Sequence, residues 1–178
     1  YANELEIAYI DRAALKRFQP GLAHPTLGRG ETLMRTEHHT NWILERWMVR
    51  ESGLTLLGPN PQSLIDPIPS GELRQAVRDR LKDWVDWAQT LADPDWQVPR
   101  RQQAYPVETM CRALYTLAKG ELTSKPQAVA WASKTIPEPW RSTVKRSQAW
   151  RTDDVIDPAI GPEVRDFILW AGSYTQEL

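Results

Sequence analysis

Residues 107–131 read VETMCRALYTLAKGELTSKPQAVAW, and this stretch decides the fold. Its first half carries apolar side chains at intervals of three and four residues, which predicts a helix with one buried face. The positions on that face are Val107, Met110, Cys111, Leu114, Leu117 and Ala118. Gly120 stands where a residue in the left-handed conformation ends such a helix.

A second helix is predicted directly after a short polar turn. Ser124 can cap it, and Pro126 suits its first turn. The turn brings Arg112 and Lys125 into one neighbourhood, beside a helix N-terminus that favours anions. Two cations at such a place are either ordinary surface charges or part of a phosphate-binding site.

Composition narrows the class of protein. With 178 residues the chain makes one large domain or one and a half small ones. A net charge of -1 and a pI near 6.4 argue against recruitment by nucleic acid or by a membrane surface. The sequence has no apolar run long enough to span a bilayer and no secretory signal, so we expect a cytoplasmic protein. The single cysteine, Cys111, is expected to be buried and unreactive.

The sequence pattern predicts little regular structure in the first third of the chain. Residues 4–10 alternate polar and apolar side chains, which predicts one strand. Its partner is either the short segment 54–57 or, as we favour, strands preceding Tyr1, since a lone strand is unstable. Residues 11–36 are expected to be irregular, apart from a short helix at 12–17. The chain starts on Tyr1, which suggests that an N-terminal portion precedes it.

The remainder predicts helices separated by stiff connectors, in keeping with 14 Pro and nine Trp. One helix is expected at 40–51 and a short one at 62–65, inside a proline-rich connector. From Ser70 onward five helices are expected, with short joints; they span 70–91, 107–119, 126–135, 139–151 and 162–172. The fold class is therefore mainly α, an antiparallel bundle of about five helices preceded by the remnant strand of an incomplete sheet.

Familiar catalytic motifs are missing. The sequence has no glycine-rich phosphate loop, no GxSxG and no HExxH. The three histidines, His24, His38 and His39, are not spaced as a metal site requires, and we expect them to be solvated or structural. No metal ligands are predicted in this chain.

Three quieter sets of residues could carry chemistry. Glu4 and Glu6 lie on one face of the predicted strand and are either solvated or, if that face borders a cleft, placed so that one of them accepts a proton or binds a metal. The tryptophans and aspartates of 84–96 are either core and loop residues or the wall of a site for a cationic, sugar-like ligand. The basic residues that could grip phosphate, or simply form an exposed face, are Arg112, Lys125, Arg141, Lys145, Arg146 and Arg151.

Two segments carry a resemblance to a known family. LLGPNPQSLIDPIP at 56–69 and RALYTLAKGELTSKPQAVAW at 112–131, following Leu5-Glu6-Ile7, resemble the aminoglycoside adenylyltransferases, in particular the streptomycin/spectinomycin group. The resemblance implies an enzyme that transfers AMP from ATP, with magnesium, to a drug hydroxyl, and so confers antibiotic resistance. It implies that residues 1–58 end a nucleotidyltransferase α/β domain and that residues 59–178 form the substrate-binding helical domain.

The resemblance also implies roles for individual residues. Glu6 matches the general base of the family. The positions that match drug contacts are Trp84 and Asp95. The positions that match ATP contacts are Arg112, Lys125 and Trp150.

The chain departs from the family pattern in three places. The Gly-Ser phosphate signature and the Asp-x-Asp magnesium pair lie upstream of the strand in the family, so ATP and magnesium would be held largely by residues preceding this chain. The chain alone is therefore expected to be inactive. Residues 97–101, QVPRR, are basic where the family has an acidic drug contact, which predicts weaker attraction for streptomycin. Asn41 stands where an aspartate is expected.

Two other functions remain open from the sequence. The first is a helical module that binds a ligand or a partner without catalysis. The second is a nucleotidyltransferase acting on a protein or on another small molecule. We expect a monomer that binds ATP and a small aminoglycoside, with no nucleic acid and no membrane among its partners.

Overall fold

The computed structural model describes residues 4–39, 41–90 and 92–174. Contacts between Cα atoms divide the chain into two compact units, one ending at Glu72 and one starting at Leu73. Each unit is described by itself below.

The first unit contains a three-stranded antiparallel sheet. Its strands are β1 (Ile7–Ala8), β2 (Ala23–Leu27) and β3 (Met34–Glu37), in the order β1-β2-β3. The strand predicted at 4–10 is therefore present but shorter, and among the described residues it pairs with β2 and not with the segment 54–57. A further partner preceding Tyr1 stays a prediction. The expected irregularity of residues 11–36 is wrong for β2 and β3. Pro25 hides β2 in the sequence because proline lacks the N–H that an internal strand residue donates.

Three helices complete the first unit: α1 (Arg12–Lys16), α2 (Asn41–Ser52) and α3 (Pro61–Leu64). All three were predicted, although Thr40, the expected start of α2, lies outside the described residues. The buried guanidinium of Arg46, on α2, donates a 2.7 Å hydrogen bond to the carbonyl of Leu15 and another to that of Lys16. These carbonyls end α1 and have no partner within their own helix, so Arg46 fastens α2 to α1.

The remaining helices confirm the prediction of a mainly α fold. They are α4 (Ser70–Thr90), α5 (Arg100–Lys119), α6 (Lys125–Thr135), α7 (Trp140–Ser147) and α8 (Ile160–Tyr174). Two short 3₁₀ helices lie between them, at Asp93–Trp96 and Trp150–Thr152. The second of these replaces the end of the helix expected at 139–151.

Helix α5 is the centre of the second unit and contacts α6, α7 and α8. The predicted apolar face is almost fully buried; the exposed fraction is at most 2% for Val107, Met110, Cys111, Leu114 and Leu117. Burial raises the pKa of the Cys111 thiol to about 12, as expected for an inert cysteine.

The start of α5 differs from its predicted position, whereas its end agrees with the prediction. The helix begins at Arg100, seven residues earlier than predicted, and continues through Pro106. A proline inside a helix costs one backbone hydrogen bond, and here its ring is buried in the core. Gly120 ends the helix as predicted, with a left-handed φ of 75° and its N–H bonded to the carbonyl of Thr116 at 2.7 Å.

The first turn of α8 lies unusually close to Trp96. A Cβ at Gly161 would come within 2.7 Å of the Trp96 Cβ and 2.8 Å of its carbonyl oxygen. The same carbonyl accepts a 2.6 Å hydrogen bond from the buried amide of Gln103, on α5. Trp96 is therefore held between α5 and α8, and only glycine fits at position 161.

Substitution of this glycine tests that packing. Gly161→Ala is expected to lower the free energy of unfolding by about 1–3 kcal/mol, because the added methyl must displace backbone rather than a flexible side chain. Gly71→Ala is the control, since a Cβ there meets no atom within 4 Å. Urea denaturation measures both variants, and equal losses of stability would contradict the close approach.

Candidate functional site

A buried carboxylate on α5 organises the charges of the second unit. The Glu108 side chain is only 11% exposed. Its Oε1 accepts a 2.5 Å hydrogen bond from Nε of Arg151, and its Oε2 lies 3.8 Å from Nζ of Lys125. Three elements meet here, because Arg151 belongs to the 3₁₀ helix at 150–152 and Lys125 is the first residue of α6.

Lys125 shows that further cations share this neighbourhood. Burial lowers its pKa, the charge of Glu108 raises it, and the charges of Arg112 and Arg151 lower it again. Its Nζ also lies 3.7 Å from the centre of the Tyr105 ring, a cation–π contact. The structure thus brings Arg112 and Lys125 together, as the sequence predicted. We refer to Arg112, Lys125 and Arg151 as the cation cluster.

A line of aromatic rings leads away from this cluster. The ring centres of Tyr105 and Trp84 are 6.3 Å apart, those of Trp84 and Trp87 are 5.2 Å apart, and those of Trp87 and Trp96 are 4.9 Å apart. We call these four residues the aromatic row. Trp96 is buried core, whereas Trp84 and Trp87 keep part of their surface exposed. Trp96 is therefore a core residue, and the interpretation of the partly exposed Trp84 and Trp87 as the wall of a ligand site stays a prediction.

The other expected site residues have varied surroundings. Asp95 is exposed, and its Oδ2 accepts a 3.1 Å hydrogen bond from the N–H of Ala92, which closes the turn after α4. Trp150 is 5% exposed, so it packs in the core. The next residue, Arg151, is the one that belongs to the cation cluster. Glu6 is exposed and directly precedes β1 in the first unit.

The segment 97–101 is less basic than its sequence indicates. The Arg100 guanidinium donates one 2.8 Å hydrogen bond to Asp153 and another to Asp157. Arg101 is paired with Asp154 at 2.6 Å. Three aspartates from a distant part of the chain therefore pair with the two arginines, and the weaker attraction for streptomycin expected at residues 97–101 stays a prediction.

Glu108 and Tyr105 are the residues that the sequence reading missed. Arg151 was only one of several basic residues proposed from the sequence to bind phosphate. Two of the others form ion pairs outside the cation cluster, Arg146 with Glu163 and Arg141 with Glu138. The apolar pattern of α5 gave no signal for Glu108, because this residue lies outside the face predicted to be buried.

The described residues contain no group of three or more histidine, cysteine or acidic side chains placed to hold a metal ion. His38 instead shares a 2.6 Å hydrogen bond with Thr26 and packs against His24 and Trp42. In the part of the chain that the structure describes, no helix is long and apolar enough to cross a membrane.

Comparison with known proteins identifies the family. A family model described as "Aminoglycoside adenylyltransferase, C-terminal domain" matches residues 63–167, which include the cation cluster and the aromatic row. The chain belongs to this family. The resemblance seen at residues 56–69 and 112–131 is thereby confirmed.

Curated relatives match over about half of this chain. An aminoglycoside (3'') (9) adenylyltransferase of Rhizobium radiobacter is 33% identical over 88 residues, or 49% of this chain and 29% of the relative. The protein of that name from Escherichia coli is 28% identical over 95 residues, or 53% of this chain and 33% of the relative. The chain therefore matches only about a third of the length of these relatives.

A solved structure supports the fold over a longer range. The crystal structure of a spectinomycin adenyltransferase from Enterococcus faecialis, determined with ATP and spectinomycin, superposes with a TM-score of 0.70. The superposition covers 94% of this chain and 68% of the other, at 12% sequence identity. At this identity the likeness concerns the fold.

The ion pairs of Arg100 make stability depend on pH. Its hydrogen bonds hold the pKa of Asp153 and of Asp157 below the ordinary value of 3.8. Their stabilisation is therefore present above that value and is lost as the pH falls through the lowered pKa values. Arg100→Gln is expected to lower the Tm at about pH 7, and the gap to the parent chain should narrow at about pH 3.

Thermal denaturation followed by circular dichroism measures both Tm values. Arg101→Gln is the matched control, because its pair with Asp154 is more exposed and should matter less. A gap that stays constant across the pH range would contradict the role assigned to Arg100.

Proposed function

We propose that this chain is the substrate-binding helical part of an aminoglycoside adenylyltransferase, which transfers AMP from ATP to a hydroxyl of an aminoglycoside-type antibiotic. The observation that carries the proposal is the direct continuity of the cation cluster with the aromatic row, inside the segment that matches the family. Tyr105 joins the two, since its ring neighbours both Nζ of Lys125 and the ring of Trp84.

The cation cluster is proposed to bind the phosphates of ATP. Arg112, Lys125 and Arg151 are three cationic side chains that share one neighbourhood, and Glu108 contacts Lys125 and Arg151 with its two carboxylate oxygens. Guanidinium and ammonium groups are strong donors to phosphate oxygens. Trp150, a buried residue of the same 3₁₀ helix as Arg151, is proposed to lie near the bound nucleotide.

The aromatic row is proposed to bind the antibiotic. A partly exposed ring such as that of Trp84 can cover the apolar face of a sugar and attract a charged amine. Asp95 offers a carboxylate at the end of the row, beside Trp96. The names of the relatives favour an aminoglycoside and spectinomycin for the first trials, and the family resemblance adds streptomycin.

The proposed reaction is an in-line substitution at phosphorus. The oxygen of the antibiotic hydroxyl forms a bond to the α-phosphorus of ATP while the bond to the bridging oxygen breaks, and pyrophosphate leaves. Glu6 is proposed to accept the hydroxyl proton. The cation cluster offsets the charge that develops on the departing pyrophosphate, so the enzyme acts by positioning and electrostatics.

Magnesium is expected from the family resemblance, but the described residues offer no cluster of carboxylates that would hold it. We therefore assign no residue of this chain to the metal. We propose that residues 1–58 correspond to the end of the family's nucleotidyltransferase domain and that residues 59–178 correspond to its helical domain. The 178-residue chain by itself is then expected to bind ligands without catalysing transfer. Because ATP is the proposed AMP donor, we propose that the reaction takes place in the cytoplasm.

Two single substitutions are expected to separate the two ligands. Lys125→Met should weaken ATP binding by about tenfold, because it removes an ionic partner of the phosphates. Trp84→Ala should weaken binding of spectinomycin or streptomycin by about tenfold while changing ATP binding less. Calorimetric titration of the 178-residue chain with each ligand measures both effects.

Each variant has a matched control in the same unit. Lys134→Met removes a lysine from the other end of α6, and Trp170→Ala removes a tryptophan that stacks on Trp140 outside the aromatic row. Both controls should leave ligand affinities unchanged. Loss of both ligands in the Trp84 variant, with a lowered Tm, would indicate unfolding rather than a binding role.

Substitution of the proposed base tests the chemical step. In a protein that contains this chain together with the nucleotidyltransferase domain, Glu6→Gln should retain ATP binding and reduce pyrophosphate release by at least about a hundredfold. Glu4→Gln, two residues away, is the control. Unchanged turnover in the Glu6 variant would remove Glu6 from the mechanism.

A further inference from the structure

Glu108 poses a question that the proposed function leaves unanswered. A site for polyphosphate is expected to gather positive charge, yet a carboxylate lies at its centre and is almost fully buried. If only net charge mattered, this carboxylate would oppose nucleotide binding. Its geometry suggests a different contribution.

We propose that Glu108 is a positioning residue for nucleotide binding, which holds Lys125 and Arg151 in place beside Arg112 so that the three cations present one polyphosphate-binding surface. This inference rests on the proposed function of the same site. Each oxygen of the carboxylate faces a different cation: Oε1 bonds Arg151 at 2.5 Å, and Oε2 lies 3.8 Å from Lys125. The two partners come from separate elements, which the carboxylate therefore links.

The physical reason is conformational entropy. Lysine and arginine have long side chains whose rotamer freedom is lost when they bind a ligand. A side chain that is already held in place loses less freedom on binding, and so binds more tightly. Glu108 holds two of the three cations in this way, while the Tyr105 ring restrains Lys125 from a second side.

The carboxylate also influences the charge state of Lys125. Among the described residues, the groups that face the ammonium are Glu108, Arg112, Arg151 and the Tyr105 ring, and of these Glu108 alone acts to raise its pKa. Burial and the two arginines lower that pKa. Removing the negative charge of Glu108 should lower the pKa of Lys125 further, so that the ammonium loses its proton at a lower pH.

The decisive variant is Glu108→Gln, which keeps the shape of the side chain and removes its charge. Three probes are titrated calorimetrically into the 178-residue chain: ATP, inorganic tripolyphosphate and AMP. If Glu108 positions the cations, the variant should bind ATP and tripolyphosphate at least about tenfold more weakly and AMP nearly as well as the parent does. If net charge alone decides, the variant should bind the two polyphosphates more tightly, and this outcome would overturn the proposal.

The pH profile supplies a readout that a merely structural role would not change. The alkaline decline in tripolyphosphate affinity should begin at a lower pH in Glu108→Gln than in the parent chain, in parallel with the side-chain pKa of Lys125 measured by NMR. An unchanged Lys125 pKa would also overturn the proposal. Lys125→Met should abolish the difference between the two profiles.

A matched control guards against general destabilisation. Glu163 is another partly buried glutamate of the second unit, and it pairs with Arg146 outside the cation cluster. Glu163→Gln should leave polyphosphate affinity and the Lys125 pKa unchanged, and Tm values identify any variant that is poorly folded. Equal effects of the two glutamate variants on affinity would refute a specific role for Glu108.

Failure of the proposed function can be told apart from failure of this inference. A parent chain that binds neither ATP nor tripolyphosphate would contradict the nucleotide site itself, and with it the ligand assigned to Glu108. A parent chain that binds both, and a Glu108→Gln variant that binds both equally well, would contradict the positioning role alone.

Discussion

The burial of one face of α5 is the constraint on which the second unit depends. Its apolar residues pack against three other helices, and this packing fixes the rotation of α5 about its own axis. The directions in which the other side chains of α5 point are then fixed as well. Tyr105, Glu108 and Arg112 follow one another at intervals of three and four residues, so they project from one side of α5 towards Lys125. The core thereby determines where the candidate site lies.

A buried charged side chain is tolerated only when groups of opposite charge or polarity offset the cost of its burial. A carboxylate as deeply buried as that of Glu108 would be costly alone, and the cations around it offset that cost. The same principle governs Arg46 in the first unit, where helix-ending carbonyls serve as acceptors, and Arg100 in the second, where two aspartates do. In each case a long cationic side chain joins segments that are distant in the sequence. Ionic contacts therefore add specificity to a core that is otherwise apolar.

The sequence was informative where the determining interactions are local. The spacing along α5, the left-handed Gly120 and the Ser124 cap all act within a few residues, and each was predicted correctly. The sheet was missed because Pro25 disguises the central strand. Glu108 was missed because its partner Arg151 lies 43 residues away, a contact that only the folded chain creates. The sequence therefore predicted that Arg112 and Lys125 are neighbours, but it did not predict Glu108, the carboxylate that links Lys125 to Arg151.

The burial of Cys111 has a practical consequence. Its thiol is fully enclosed in the middle of α5, and a pKa of about 12 leaves almost none of it as the reactive thiolate under ordinary conditions. Alkylating reagents can therefore label it only when the helices separate. Because the sequence has one cysteine, the rate of labelling measures the opening of this core without any engineered probe.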